Sequence, residues 1–177
     1  MSVRCIHLFD TSLGRCGVAW GEHGIVGIQL PEVAGAERAW MLKRFSGAVE
    51  TSPPRDVQDA IERITSLLGG APADLAPIAL DMSAVPEFDR LVYAAARRIP
   101  RGATRSYGEI AAEIGDPGAA RAVGAALGRN PFPIVVPCHR VLAAAGRPGG
   151  FSAHGGVRTK MRMLEIEGAP GNQEFDF

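Results

Sequence analysis

Hydrophobic and polar positions divide the chain into two halves of different rhythm. Short runs at residues 3–9, 16–20 and 24–30 read as strands, and Glu22-His23-Gly24 reads as the turn joining the last two. Helical spacing then takes over at 36–46 and 56–68. In the second helix Val57, Ala60, Ile61, Ile64, Leu67 and Leu68 recur on one face. Ile78-Ala79-Leu80 predicts a short returning strand. A small α/β unit over residues 1–82 is the expectation, with Gly69, Gly70, Pro72, Pro77 and Pro86 punctuating the linker after it.

The second half, residues 86–170, is mostly helical. Phe88, Leu91, Val92, Ala95 and Ile99 predict one apolar face of a helix that stops before Pro100. Ser106-Tyr107-Gly108-Glu109 reads as a capping box, in which the Ser oxygen and the Glu carboxylate each satisfy a free amide. That helix should end at Gly115. Asp116-Pro117 then offers an N-cap and a first-turn proline for a helix running to about Leu127. Residues 106–127 are thus a helix-turn-helix candidate. Apart from Arg121, the second of its helices carries only small or apolar residues, among them Gly118, Ala119, Ala120, Ala122, Gly124, Ala125 and Ala126. A base-reading helix needs several Arg, Asn or Gln side chains. Small residues instead let a helix backbone approach something closely, be it another helix or a ligand.

Composition adds compartment and charge. With 46% hydrophobic and 21% charged residues, the 177-residue chain can build a packed core. No run of 18 apolar residues occurs, and Met1-Ser2-Val3-Arg4 opens no signal-type run, so no membrane is expected. Cys5, Cys16 and Cys138, an odd count, fit a reducing cytoplasm better than a disulfide framework. The net charge of zero conceals a basic middle. Residues 1–96 hold eight bases and twelve acids, residues 97–162 hold eleven bases and three acids, and the rest holds four acids. A segment of net +8 is the footprint of a polyanion binder, or else a solvated surface.

Chemistry concentrates in Asn130-Pro131-Phe132-Pro133-Ile134-Val135-Val136-Pro137-Cys138-His139-Arg140-Val141. Three prolines fix the backbone around a β-branched run, so residues 130–142 are expected as a strand ending in the reactive residues. A thiol beside His and Arg is placed where a thiolate is stabilised, and a lowered Cys138 pKa is expected. Adjacent side chains of an extended chain point to opposite faces, so His139 should act on Cys138 through a bridging water unless the chain turns there. His139 needs an orienting acid. The helix predicted from Val157 to about Glu167 offers Glu165 and Glu167, about 200° apart around its axis. Met161 and Leu164 mark its buried face, and periodicity leaves both acids open. A zinc deaminase is excluded, because position 141 is Val rather than a second Cys. The local signature of papain-like proteases is absent. Cys5, His7, Cys16 and His23 are zinc-type donors, but their spacing matches no standard finger and no metal is assigned.

Pro137-Cys138-His139-Arg140, preceded by Arg129-Asn130-Pro131 and by Ala119-Ala120-Arg121-Ala122-Val123-Gly124, resembles the O6-alkylguanine-DNA alkyltransferases. The match is close over residues 86–168 and looser in the first half. The resemblance implies an α+β protein: a small RNase H-like α/β domain with a three-stranded sheet, then a winged-helix-like DNA-binding domain and a tail, 171–177. It implies cofactor-free, single-turnover transfer of an alkyl group from O6-alkylguanine, and from O4-alkylthymine, in duplex DNA to Cys138, by a monomer. In that pattern His139 is the base and Glu167, directly before Gly168, orients it, while Asn130 braces the turn. Arg121 fills the space of the flipped base. Tyr107 and Ser152 hydrogen-bond the guanine, Lys160 lies near the pocket, and Pro133, Val141 and Phe151 wall it. The recognition helix of such proteins enters the minor groove, about 6 Å wide, where a helix about 10–12 Å across fits only with tiny residues such as Ala119 and Ala120. Phe151 stands where a Tyr is common, and Phe151-Ser152-Ala153-His154-Gly155-Gly156 is about two residues longer than in the shortest relatives. A non-enzymatic lesion sensor of the alkyltransferase-like kind is the alternative, and Cys138 argues against it. The Ala/Gly helix argues against a sequence-specific transcription factor.

Overall fold

Strands β1 (Cys5–Thr11), β2 (Gly14–Gly21) and β3 (Gly24–Gln29) form an antiparallel meander in the computed structural model, which describes residues 4–153 and 155–169. Gly14 and Gly24, at φ of +123° and +122°, take up the left-handed backbone that the two turns require. Helix α1 (Glu37–Arg44) leads into β4 (Val49–Glu50), which joins the sheet parallel to β1 and makes its order β3-β2-β1-β4. The expected sheet of three strands therefore has a fourth. Two residues carry no readable alternation, and β4 is fixed by the amides of Val49 and Thr51 donating to the carbonyls of Arg4 and Ile6. Ile78–Leu80 makes only a single bridge, to Ile25, rather than a strand.

The face of the sheet that carries Ile6 and Ala19 packs on Met41 and Phe45 at the end of α1. Gly17 and Gly27 make that approach possible. A Cβ on Gly17 would lie 2.6 Å from the Met41 sulfur, and one on Gly27 would strike the Phe45 ring. Helix α2 (Arg55–Leu68) buries the six residues its spacing predicts and packs against β1. Pro131–Val135 belongs to this first compact unit, which otherwise runs up to Ala84. The amide of Ile28 donates to the Pro131 carbonyl at 2.9 Å, and Arg44 donates to the carbonyls of Ile28 and Pro131.

The second unit takes Val85–Asn130 and the chain from Val136 onward. Helix α3 (Glu87–Arg97) buries Asp89, Val92, Tyr93 and Ala96, while Leu91 is 51% exposed. Of the predicted apolar face, Val92, Ala95 and Ile99 are buried; what the hydrophobic pattern passes over is that the inward side also hides Asp89 and Tyr93. The capping box at Ser106 starts α4 (Tyr107–Glu113) as expected. Asp116-Pro117 does not cap the next helix. The Asp116 carbonyl instead closes a turn with the Ala119 amide, and α5 (Ala120–Gly128) begins after it without a side-chain cap. Nor is 130–142 a strand. Its prolines withhold amide donors and Ile134 sits at φ +77°, so beyond isolated bridge positions at Pro133 and Val136 the strand pairing is that of β6 (Val141–Leu142), in parallel with β5 (Arg105–Ser106). Helix α6 (Val157–Glu167) stops where Gly168 turns left-handed at φ +69°. His154 and the tail 171–177 lie outside the described residues. No helix among them is long and apolar enough to cross a membrane.

The glycine contacts order two substitutions. Gly27→Ala should destabilise by about 1–3 kcal/mol, because the Phe45 ring has nowhere to swing. Gly17→Ala should cost less, because the flexible Met41 side chain can move. Thermal melts check this, and equal melting temperatures for both variants and the parent would contradict it.

Candidate active site

Pro137 halts the extended path, and Cys138–Arg140 forms a single 3₁₀ turn. The Cys138 amide donates to the Val136 carbonyl at 2.8 Å and the Arg140 amide to that of Pro137 at 2.9 Å. The turn overturns the premise that Cys138 and His139 point to opposite faces of a strand. All three side chains are buried.

Glu167, the last residue of α6, meets this turn. Its Oε1 lies 2.9 Å from His139 Nε2, and both its oxygens accept from Arg140, at 2.9 Å from Nε and 2.7 Å from Nη2. Arg140 also donates to the Ile99 carbonyl at 2.6 Å. Burial pushes the Glu167 carboxyl up, but the hydrogen bonds from His139 and Arg140 outweigh it and hold the group at about 2. Burial pushes the imidazole of His139 below its ordinary value, against the pull of Glu167, so it rests neutral. An ionised carboxylate only accepts, so Nε2 carries the proton. Nδ1 is then the basic nitrogen, buried and without a hydrogen-bond partner among the described residues. Glu165, the other acid on the helix, points away and pairs with Arg162 at 2.8 Å, its side chain 65% exposed.

The thiol itself departs from expectation. Burial raises the Cys138 pKa; a hydrogen bond with the Asn130 side chain and the charge of Lys160 oppose this without reversing it. The resting sulfur is a neutral thiol, because leaving water costs a thiolate more than these neighbours return. Asn130 also donates from Nδ2 to the Val136 carbonyl at 2.9 Å. Lys160 is fully buried, donates to the Val141 carbonyl at 2.6 Å and lies 5.8 Å from the centre of the Tyr107 ring. Burial lowers its pKa to about 8.

Cys138 opens onto a cavity of about 820 Å³. Of the predicted residues, Tyr107, Ala120, Arg121, Phe151 and Ser152 line it with Cys138. The others do not. His139, Glu167 and Lys160 are buried, Val141 accepts from Lys160, Asn130 bonds Val136 and Cys138, Ala119 precedes α5, and Pro133 belongs to the first unit. The Ser152 hydroxyl donates to the Gly128 carbonyl at 3.2 Å, which leaves its oxygen free to accept. Sequence reasoning missed Gly124 and Gly128, which line the cavity with Ala120. Their spacing of four residues was the available signal, since it puts three small side chains on one helical face. The donors Cys5, His7, Cys16 and His23 do not converge: no three His, Cys, Asp or Glu side chains form a metal-binding group among the described residues. Cys16 is buried in β2, where burial lifts its thiol to about 11.

Residues 87–169 match the family model described as 6-O-methylguanine DNA methyltransferase, DNA binding domain. A methylated-DNA–protein-cysteine methyltransferase of Methanothermobacter thermautotrophicus is 39% identical over 152 residues, covering 86% of this chain and 78% of the relative. The protein of the same name from Mycolicibacterium paratuberculosis is 47% identical over 117 residues, covering 66% and 68% of the two chains. Among solved structures, that of Mycobacterium tuberculosis OGT in complex with DNA aligns with TM-score 0.75 and 32% identity, over 94% of this chain and 96% of that one. Sequence and fold agree over most of the chain, and it belongs to the methylated-DNA–protein-cysteine methyltransferase family.

Proposed function

We propose that the protein repairs DNA by direct reversal, moving the alkyl group of O6-alkylguanine, and of O4-alkylthymine, in duplex DNA onto Cys138. The observation that carries this reading is the buried Glu167–His139 hydrogen bond next to a cysteine that faces a cavity. At about 820 Å³ the cavity is in the range of small-molecule pockets, about 300–1,000 Å³, and admits a base only once it leaves the stack. Three unpaired thiols suit a reducing compartment, and we place the protein in the cytoplasm.

In the transfer, the Cys138 proton passes through one water to His139 Nδ1. The sulfur lone pair attacks the alkyl carbon, and the carbon–O6 bond breaks with its electron pair left on the guanine. A proton returns to the base. The products are guanine and a thioether, which has no proton to give and resists hydrolysis, so each chain acts once. Asn130 orients the sulfur, while Tyr107 and Ser152 bind the guanine edge. Lys160 places positive charge beside the site, and Phe151 walls it. Arg121, exposed at the start of α5, enters the space the base leaves, while Ala119 and Ala120 allow the helix into the minor groove.

Stoichiometry tests the reading directly. Intact-mass spectrometry after mixing with excess O6-methylguanine duplex should show one methyl per chain, on the Cys138 peptide, and no further turnover. Cys138→Ser should lose transfer and keep damaged-DNA binding. A second turnover would refute single-use chemistry.

The carboxylate geometry separates two neighbours. Glu167→Gln should slow transfer by roughly tenfold or more, because the imidazole loses its orienting acceptor. Glu165→Gln should leave the rate unchanged. Glu167 is held at about 2 against an ordinary 4.5, so its ionised form contributes stability above pH 4.5 that is lost as pH falls toward 2. The Gln variant should therefore show a flatter acid limb in melts. Equal rate loss at both positions would move the relay elsewhere.

Binding should weaken steeply with salt and vary little with undamaged sequence, since the basic segment meets phosphates. Arg121→Ala should slow repair in duplexes more than with free alkylguanine base, because only duplexes require flipping. Equal slowing of both, read from single-turnover rates, would remove Arg121 from that role.

A further inference from the structure

We infer that Asp89 and Arg129 are a positioning pair that holds Asn130 against Cys138, so that an ion pair away from the cavity sets how readily the thiol is alkylated. The inference rests on the proposed function for its biological meaning, but its geometry stands apart from it. Asp89, in the first turn of α3, has a side chain only 3% exposed, on a ridge otherwise made of Val92, Tyr93 and Ala96. A carboxylate there weakens the core unless it is paired, and an apolar residue would pack better. Its partner is Arg129, which donates from Nε to Oδ2 at 3.1 Å and from Nη2 to Oδ1 at 2.8 Å. Such a planar two-point grip fixes direction as well as distance.

What it fixes is the end of α5. Arg129 caps that helix, its amide shared between the carbonyls of Ala125 and Ala126 at 3.2 Å each. Tyr93, one turn after Asp89, donates its hydroxyl to the Ala126 carbonyl at 2.8 Å. Helix α3 therefore holds the last turn of α5 at two adjacent points, where an ungripped helix end frays. The next residue is Asn130. Its amide must reach the Val136 carbonyl and the Cys138 sulfur at once, and only a fixed backbone lets one side chain serve both. The path is short: Asp89 to Arg129, Arg129 to the adjacent Asn130, Asn130 to sulfur. Arg129 is 58% exposed, so it can be altered without opening the core from its own side.

The test uses the full-length protein and two readouts: single-turnover transfer from an O6-methylguanine duplex, and the pH profile of Cys138 alkylation by iodoacetamide, followed by peptide mass. Besides Asn130, the titratable groups that interact with the sulfur are Lys160 in α6, Tyr107 in α4 and Tyr93 in α3, and His139 bonds it through its backbone amide; none of these is altered. Arg129→Met should slow both reactions by roughly tenfold, as expected for a misplaced reacting group, and move the alkylation profile to higher pH. In an Asn130→Ala background the same change should add less than about twofold, since the effect runs through Asn130. Should Arg129→Met fail to fold with Asp89 left unpaired, the neutral pair Asp89→Asn with Arg129→Met carries the same expectations. A lower melting temperature with an unmoved alkylation profile would make the pair merely structural and overturn the inference. So would a full loss in the Asn130→Ala background, or weakened duplex binding with normal alkylation, which would make Arg129 a phosphate contact. If the parent protein is alkylated by iodoacetamide but takes no methyl from DNA, the proposed function fails, and the pair is still judged from the alkylation data.

Discussion

One buried carboxylate organises the reactive end of the second unit. Glu167 ends α6 inside the protein, where an unpaired charge would not survive, and it is retained because two donors from a single 3₁₀ turn converge on it. Arg140 supplies the compensating charge. That frees His139 to remain neutral and to donate its one N–H to an acceptor that never gives it back. The tautomer is thereby chosen, and the basic nitrogen faces away from the acid. Replace Arg140 by a neutral group and Glu167 would either take up a proton or force one onto the imidazole. Either way the free basic nitrogen would be lost, so the guanidinium supports the imidazole without touching the sulfur.

A thiol whose pKa is raised is a poor nucleophile at rest, and this follows from the same burial that keeps the imidazole neutral. The two effects suit each other. A neutral thiol beside a neutral imidazole stores no separated charge in a buried site. A resting thiolate would instead react with any small electrophile that entered.

Much of this was legible in the chain and some was not. The strands, α2, the capping box at Ser106 and the extent of α6 were written in periodicity and cap residues. The reactive triplet was visible as residue types, but its geometry was hidden, because a proline-bounded run reads as a strand until Pro137 turns it. The inward face of α3 was read only in part, for a physical reason. Hydrophobic patterning assumes that polar residues face water, and Asp89 faces inward because a partner forty residues later satisfies it. The lowered thiol pKa failed likewise, since neighbours in sequence report charge but not the loss of water. Only the family pattern or the fold itself separates Glu165 from Glu167, because a helix with acids two residues apart offers both faces.

Helix α5 shows how one composition can meet two demands. Ala120, Gly124 and Gly128 form a row along the cavity, where larger side chains would fill its space, while Ala122 and Ala125 are exposed on another side of the helix. Val123, Ala126 and Leu127 hold the helix in the core between these two faces. A helix so poor in side chains has little to anchor it, and its glycines lower its intrinsic stability by about 1 kcal/mol each relative to alanine. Its order must come from elsewhere. Val123 and Leu127 provide apolar burial, and the grip of Tyr93 and Asp89 on its final turn provides direction. A helix of such small residues thus depends on α3 to hold its end, and that end leads directly to the asparagine beside the sulfur of Cys138.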